Sequence, residues 1–269
     1  MSGAIFIETL KRIWRQTLYW GIGLALLGFY IVIVIPNIDT LKQYQDIIGN
    51  KMPKAVMQAF GISDMAVLAT PEGFIAFGFL TYALILLMVY AVLAGMNITA
   101  NEEDDGTMDI LLTQPVPRWR VVTEKYAAYV LMSTVIIVLS YIGLILGRMS
   151  GTLEFSIERM LLAGIPMTLA VWLVIAFTAV AGTFFRRKST AMMVVVSFIV
   201  VSYFLNFIGN AASGTAASSV KVLSLFQYAD AQSVIQHGLT FTSLAILAGA
   251  TATLFGLSVW LFERRDVGL

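Results

Sequence analysis

Residues 73–101 read GFIAFGFLTYALILLMVYAVLAGMNITAN, a stretch of 29 residues without one charged side chain. A helix needs about 20 apolar residues to cross the hydrocarbon of a bilayer, so this stretch is long enough to span a membrane. A spanning strand would alternate polar and apolar residues, and runs such as YIVIVI at residues 30–35 do not. The stretch is therefore predicted to be a transmembrane helix.

Five further charge-free stretches lead to the same prediction. They contain 22 to 32 residues each and cover residues 16–38, 126–147, 160–185, 189–220 and 231–262. Local hydropathy narrows the six stretches to predicted spans at about 18–36, 74–97, 126–147, 161–185, 190–209 and 240–262. The predicted fold class is an all-α membrane protein with six transmembrane helices, forming a single domain over residues 1–269.

The composition of the whole chain agrees with a membrane location and excludes several kinds of site. Of its 269 residues, 59% are hydrophobic and 12% are charged, against about 25% charged residues in soluble domains. The chain has no cysteine and one histidine, His237, which excludes disulfides, thiolate metal sites and multi-histidine metal sites. A net charge of +1 gives no reason to expect nucleic acid as a partner. No metal or cofactor site is predicted on this chain.

The lysines and arginines indicate how the spans are oriented. Eleven of the 17 lie on the side of the amino terminus, at positions 11, 12, 15, 118, 120, 125, 186–188, 264 and 265. The other six lie on the opposite side, at positions 42, 51, 54, 148, 159 and 221. Because basic residues concentrate in cytosolic loops, both termini are predicted to be cytosolic.

Ahead of the first span, residues 5–17 have the pattern of an amphipathic helix. An apolar flank opposes a charged one, with Ile5, Leu10, Ile13, Trp14 and Leu18 against Glu8, Lys11, Arg12 and Arg15. Such a helix can lie in the membrane interface, against lipid, before it turns into the first span. The alternative is a simple cytosolic extension of that span. The apolar run that follows is longer than that of a signal peptide, so we interpret it as a retained span.

The sequence contains no recognisable catalytic or nucleotide-binding motif. Arg187-Lys188-Ser189-Thr190 lacks the glycines that a P-loop requires before its lysine, and no Gly-x-Ser-x-Gly elbow is present. A triad built on His237 would lie in an outer loop, so a membrane-embedded hydrolase is disfavoured. The span interiors carry no Asp, Glu, Lys or Arg, which argues against a proton-coupled carrier. The chain is therefore predicted not to be an enzyme.

A few small and polar residues in the spans are candidates for helix contacts. Gly143 and Gly147 form a GxxxG pair in the third span, which can let another helix approach closely. Asn206 and Asn210 end the fifth span, and we interpret them as boundary residues rather than substrate ligands.

The loop between the second and third spans is the most informative segment. Residues 101–118 read NEEDDGTMDILLTQPVPR, in which four acids and Gly106 precede a stretch of two helical turns and then two prolines. Acids suit the amino end of a helix, and proline ends one. Met108, Leu111 and Leu112 give the short helix an apolar side that needs a surface to bury against. Because the acids disfavour anionic lipid, a cytosolic protein partner is predicted; the alternative is a linker whose leucines rest on lipid.

Four groups of residues, spread over nearly the whole chain, carry a family resemblance. They are MPKAVMQAFG at 52–61 with TPEG at 70–73, the loop 102–118, SLFQY at 224–228 with Gly238, and FERRDV at 262–267. In this order, and at these places in the six-span map, they resemble the permease subunit of a type-2 ATP-binding-cassette exporter. One departure is the pair Pro115 and Pro117, where the family often has a single proline.

The resemblance implies a fold, a site and partners. The fold has an interfacial N-terminal helix, six spans, a coupling helix in the first cytosolic loop, and short helices that fold back before the sixth span. The residues that it places against a separate ATP-binding-cassette ATPase subunit are Glu102, Glu103, Gly106, Thr107, Met108, Leu111, Leu112, Pro115 and Arg118. ATP and magnesium are expected on that ATPase. A second permease copy or a similar permease would pair through the first and fifth spans, with close approach at Gly21, Gly23 and Gly28.

The leading functional prediction is therefore a permease subunit that forms the translocation path of an exporter. Its expected location is the cell membrane as a multi-pass protein, in a prokaryotic plasma membrane. The alternative is a non-transporting membrane immunity or regulatory protein of the same fold. An ATPase that co-purifies with the chain, and whose ATP hydrolysis the chain stimulates, would distinguish the first from the second.

Overall fold

The computed structural model describes residues 3–34, 43, 53–59, 62, 65–101, 117–151, 153–185 and 187–264. Six of its helices are long and apolar enough to cross a membrane: α1 (Ala4–Val34), α4 (Pro71–Met96), α5 (Arg118–Ser150), α6 (Ile157–Phe184), α7 (Lys188–Ala211) and α10 (Phe241–Arg264). The shorter helices are α2 (Lys54–Ala59), α3 (Met65–Leu68), α8 (Leu225–Tyr228), α9 (Ala231–His237) and a 3-10 helix, Ala216–Leu223. No strand occurs within these ranges, so the all-α, six-span prediction is confirmed.

Helix α1 joins the amphipathic segment and the first apolar stretch without a break. It runs over 31 residues from Ala4 to Val34, which agrees with the alternative of an extended first span rather than a separate helix that turns into it. Ile13 and Thr17 are buried, whereas Lys11, Arg12 and Arg15 are exposed. Of the predicted apolar flank, Ile13 is buried but Trp14 and Leu18 are exposed, so packing within the chain accounts for only part of the amphipathic pattern. Its depth in the membrane stays a prediction.

The closest helix pair is α1 with α5, and glycines on both helices make it close. A Cβ on Gly143 would overlap the backbone of Ala25, and one on Gly147 would crowd Val32. The GxxxG pair is thus a real contact face within the chain. On α1, a Cβ at Gly21 would overlap the side chain of Leu139.

This packing corrects one expectation about the first span. Gly28 faces Phe79 and Leu144 of the same chain, and Gly21 likewise faces α5, so neither glycine is available to admit a second copy. Nothing lies within 4 Å of a Cβ built on Gly23, which leaves that position open. The glycine pattern correctly predicted close approach but not which helix approaches.

Helix α6 forms the centre of the bundle. It packs against α4, α5, α7 and α10, and Gly95 of α4 lies so close to α6 that a Cβ would overlap Thr178. Within the most apolar 18-residue window of each helix, 61% of residues are buried in α4 and in α6, but 17% in α7 and 11% in α10. The core therefore lies around α4 and α6, and the outer faces of α7 and α10 are left for lipid or another protein.

The bundle has two chemically different ends. We call the end that carries residues 3–15, 97–101, 117–125, 185, 187 and 188 the basic end. At the opposite end, α7 finishes and the 3-10 helix, α8 and α9 follow. We call it the cavity end, because α7, α8 and α9 border a small cavity.

At the cavity end, the chain folds back along α7. Ser224, just before α8, donates from its hydroxyl to the carbonyl of Ser202 at 2.7 Å, and the Ser202 hydroxyl accepts from the backbone N–H of Leu225 at 2.7 Å. Both serines are buried. Ser202 lies nine residues before Ala211, the end of α7, which corresponds to about 13 Å of helix. Because backbone groups at that depth must be paired within the protein, the two serines fix how deep α8 sits.

Candidate functional site

The candidate site lies at the basic end, where the predicted coupling loop leaves α4 and returns at α5. Eight of the nine residues predicted to contact an ATPase fall outside the described residues: Glu102, Glu103, Gly106, Thr107, Met108, Leu111, Leu112 and Pro115. The ninth, Arg118, is the first residue of α5 and is partly buried. The structure therefore describes the two segments that flank the loop, which we call its anchors. The first anchor ends at Asn101, and the second begins at Pro117.

The second anchor is a helix that begins well before the apolar stretch. Pro117 has extended backbone, with φ −63° and ψ 139°, and α5 starts at the next residue. Proline suits a helix start because it has no backbone N–H to leave unpaired. The charge-free segment of this helix begins only at residue 126. Two helical turns of α5 thus precede the apolar segment and carry the chain back from the loop.

Glu124, on these first turns of α5, holds the amino end of α1. Its carboxylate accepts hydrogen bonds from the backbone N–H groups of Gly3 at 3.1 Å and Phe6 at 3.0 Å. It also accepts a hydrogen bond from Nε of Arg120 at 2.6 Å. The first N–H groups of a helix have no partner inside it, and a carboxylate placed there also suits the helix dipole. Glu124 therefore acts as a cap for α1 from more than a hundred residues away.

Lys125, the next residue, ties α5 to the first anchor. Its side chain is 3% exposed, and Nζ donates to the backbone carbonyl of Ile98 at 3.4 Å. A buried ammonium is costly unless it is hydrogen-bonded or paired, so the residue holds the end of α4 and the start of α5 together.

The end of α4 is itself firmly packed. Ile98 and Thr99 are fully buried, and a Cβ on Gly182 of α6 would overlap the Thr99 hydroxyl. The Asn101 amide donates to the side-chain oxygen of Asn97 one turn earlier. Both ends of the loop thus connect to packed parts of the bundle, so a force on the loop would reach α4 and α5 directly.

The predicted pairing spans present long exposed apolar faces. On α1, residues at intervals of three or four are 51–76% exposed: Tyr19, Ile22, Leu26 and Tyr30. On α7 a second face consists of Val196, Val200, Val201, Phe204 and Ile208. Both helices contact α4 through their other sides. The exposed faces are therefore left for lipid or a further copy.

A comparison with protein families identifies the family to which this chain of six spans belongs. The family model described as "ABC-2 family transporter protein" matches residues 4–267. The chain belongs to the ABC-2 transporter family. No curated protein matches the chain.

Membership of the ABC-2 family supports several of the predictions directly. The chain is a multi-pass membrane protein and a permease of an ABC-type transporter. Permeases of this family are typically non-catalytic membrane subunits, and the family implies an ATPase subunit as partner. Among the described residues, no group of His, Cys, Asp and Glu could hold a metal ion.

Sequence reasoning missed the two residues that organise the basic end. Glu124 and Lys125 were visible only as charges bordering the third span. The available signal was that Glu124 is the single acid among the basic residues between Arg118 and Lys125. An acid in that place suggests a local positive partner, and Arg120 is one, but the hydrogen bonds to α1 depend on the tertiary fold.

Proposed function

We propose that this chain is the membrane subunit of an exporter, a single permease domain that forms the translocation path and is driven by a separate ATPase. ATP and magnesium bind to that ATPase. Family membership and the resemblance of the loop 102–118 support the proposal. The observation that carries it is the way the two ends of the loop are held. Lys125 of α5 donates a hydrogen bond to Ile98, just after α4, and Glu124 of α5 accepts hydrogen bonds from the start of α1.

The mechanism follows from these connections. ATP binding closes the ATPase and displaces the loop 102–116. The displacement passes to α4 through residues 97–101 and to α5 through Pro117. Because Glu124 binds α1 and glycines lock α1 against α5, α1 moves with α5 rather than separately. Because α6 packs against both α4 and α5, the helices α1, α4, α5 and α6 then tilt together and change the access to the path.

The path is proposed to lie between two permeases, either two copies of this chain or this chain and a similar one. The exposed faces of α1 and α7 lie on helices that both contact α4, so pairing through them would place α4 beside the path. Tyr82, Leu86, Val89 and Leu93 form an exposed stripe on α4. Native mass measurement in nanodiscs should find two permeases per complex; a mass that corresponds to one would contradict this arrangement.

The decisive test replaces Leu111 and Leu112 of the loop together with Asp. Burying two leucines contributes about 3–6 kcal/mol at most before binding costs, so the double variant should release the ATPase in a pull-down and abolish its stimulation. Glu103→Gln is the matched control in the same loop, because a charge at the rim of an interface is worth under about 1 kcal/mol. Undiminished binding and ATP-driven transport by the double variant would place the contact elsewhere.

The orientation is tested separately, since an exporter needs its coupling loop in the cytosol. The chain has no native cysteine, so Ser189→Cys provides a single thiol at the basic end. We expect this thiol to be protected from an impermeant maleimide added outside intact cells and labelled after the cells are opened. Labelling from outside would contradict the proposed orientation.

A further inference from the structure

A cavity of about 70 Å³ lies at the cavity end, inside a single chain. Its walls come from the middle of α4, the last turns of α7, one residue each of α2 and α6, and the segment from α8 to the start of α9. This is room for a few water molecules or a small organic group. The serine contacts between α7 and α8 hold one wall in place.

Part of the lining of the cavity is polar, and Asp230 makes it negative when the carboxyl is ionised. Asp230 lines it, together with the amides of Asn206, Asn210 and Gln232, and no lysine, arginine or histidine is among the described residues that line it. Oδ1 of Asn206 is buried and has no hydrogen-bond partner within the described part of the chain. A buried acceptor without a donor costs about 1–3 kcal/mol, so a group that donates hydrogen bonds would be stabilised beside it.

Asp230 has acceptor capacity left for such a group. Its Oδ1 accepts from the backbone N–H of Gln232 at 3.0 Å, and the carboxylate also accepts from the backbone N–H of Ser233, so that it caps α9. A carboxylate offers about four acceptor positions, so the cap does not exhaust it. Burial raises the pKa of the carboxyl; the two backbone hydrogen bonds lower it in part, and so do the charges of Lys221 and His237, which do not line the cavity. A cation that entered would be attracted by the ionised form.

The rest of the lining is aromatic and apolar. Tyr203 and Phe226 meet edge to face with ring centres 5.5 Å apart, and Phe77 and Tyr82 do so at 6.5 Å. Ring faces attract ammonium groups, including those of ligands. A metal ion would instead need a full shell of oxygen ligands, which Asp230 and the three amides could supply only in part, because apolar and aromatic side chains make up most of the lining. The combination favours an organic cation over an inorganic one.

We propose that this cavity binds a primary ammonium group, with the Asp230 carboxylate as its counterion, the Asn206 and Gln232 amides as hydrogen-bond partners and the aromatic pairs around its alkyl part. The group belongs to a soluble amine or to a lipid headgroup. This site would give the proposed exporter an amine-selective subsite near one end of its path. It rests on the proposed function only for that role, because the binding itself needs neither the ATPase nor ATP.

The test uses the full chain in phosphatidylcholine nanodiscs, without ATPase, titrated calorimetrically with hexylammonium. Hexanol is the uncharged probe of similar shape, hexyltrimethylammonium is the cation that cannot donate hydrogen bonds, and sodium chloride is the inorganic cation. We expect hexylammonium to bind at least about tenfold more tightly than the other three probes, because charged hydrogen bonds contribute more than neutral ones. Equal binding of hexylammonium and hexanol would overturn the proposal and leave a cavity that holds water.

Two variants locate the site. Asp230→Asn keeps a residue that caps a helix well and removes only the charge, so the fold should persist while affinity for hexylammonium falls about tenfold. Glu154→Gln is the matched control, since this exposed acid precedes α6 at the same end but does not line the cavity. Unchanged affinity in Asp230→Asn, or an equal loss in Glu154→Gln, would place amine binding elsewhere.

The source of the amine is distinguished by lipid. If the headgroup of phosphatidylethanolamine occupies the cavity, nanodiscs that contain this lipid should weaken hexylammonium binding in the wild type but not change the residual binding of Asp230→Asn. If soluble amines are the ligands, the two lipids should give equal affinities. A failed coupling experiment would leave all these titrations intact, so the binding site and the exporter function can fail independently.

Discussion

The two ends of the bundle each place a carboxylate at the amino end of a helix, and the two carboxylates are used differently. Glu124 reaches across to α1 and is also bonded to Arg120 at 2.6 Å. Asp230 caps its own helix, α9, and faces a cavity. A carboxylate whose partners are all within the protein fastens one helix to another. A carboxylate that also faces a cavity can bind a ligand there. The same cap chemistry therefore stabilises the basic end and leaves the cavity end able to bind an ammonium group.

The largest expected effect breaks the first cap. Glu124→Ala would remove the acceptor for the Gly3 and Phe6 N–H groups and leave Arg120 without this carboxylate, at a cost of about 2 kcal/mol. We expect faster hydrogen exchange in residues 3–10 and a lower unfolding temperature in nanodiscs. Glu124→Gln keeps one carbonyl oxygen and should lose about half as much.

The same variant bears on coupling. If α1 follows the loop through Glu124, Glu124→Ala should still bind the ATPase but stimulate it less, whereas the Leu111 and Leu112 double variant should not bind at all. Unchanged hydrogen exchange at residues 3–10 would mean that packing against α5, rather than the cap, holds the end of α1.

A smaller effect concerns the cavity end, where buried hydroxyls join α8 to α7. Ser202→Ala would leave the buried backbone N–H of Leu225 without its acceptor and remove the 3.3 Å contact between the Ser202 and Ser224 hydroxyls, at a cost of about 1–2 kcal/mol. We expect a lower unfolding temperature together with looser binding of hexylammonium, because the wall formed by α8 would shift. Ser197→Ala, on an exposed position of the same helix, is the control. Equal effects of the two variants would contradict a specific role for the serine contacts.

The sequence was sufficient for the number and nature of the spans, because hydropathy and length are local properties. It was also sufficient for the presence of close helix contacts at Gly143 and Gly147. It was not sufficient for their direction: Gly21 and Gly28 have the same pattern whether they face α5 or a second copy. Pairing partners are set by the whole bundle, which a pattern in one helix does not encode.

The cavity shows the same limit for function. Asn206 was interpreted as a boundary residue because it ends an apolar stretch, and Asp230 stood only as the charge that closes another. Both residues line the cavity because the fold brings the end of α7 close to the start of α9. Asn206 and Asp230 are 24 positions apart, so no pattern within one helix could have paired them. A polar residue near a span end becomes a candidate ligand only when the opposite wall is known.

The smallest expected effect sharpens the comparison through pH. Burial raises the pKa of Asp230 above its usual value, against the opposing influence of backbone N–H groups, Lys221 and His237. A raised folded-state pKa means that the folded chain holds the proton more tightly than the unfolded chain, so this contribution to stability is present at low pH and is lost as the pH rises through the folded pKa. The unfolding temperature of the wild type minus that of Asp230→Asn should therefore be larger at about pH 4 than at about pH 8. The subtraction removes the other titrating groups, including His237.

Hexylammonium favours the ionised carboxylate, so a saturating concentration should reduce this difference in the wild type. A difference that grows with pH in the absence of amine would mean that Lys221 outweighs burial, and that Asp230 is paired within the protein in the manner of Glu124.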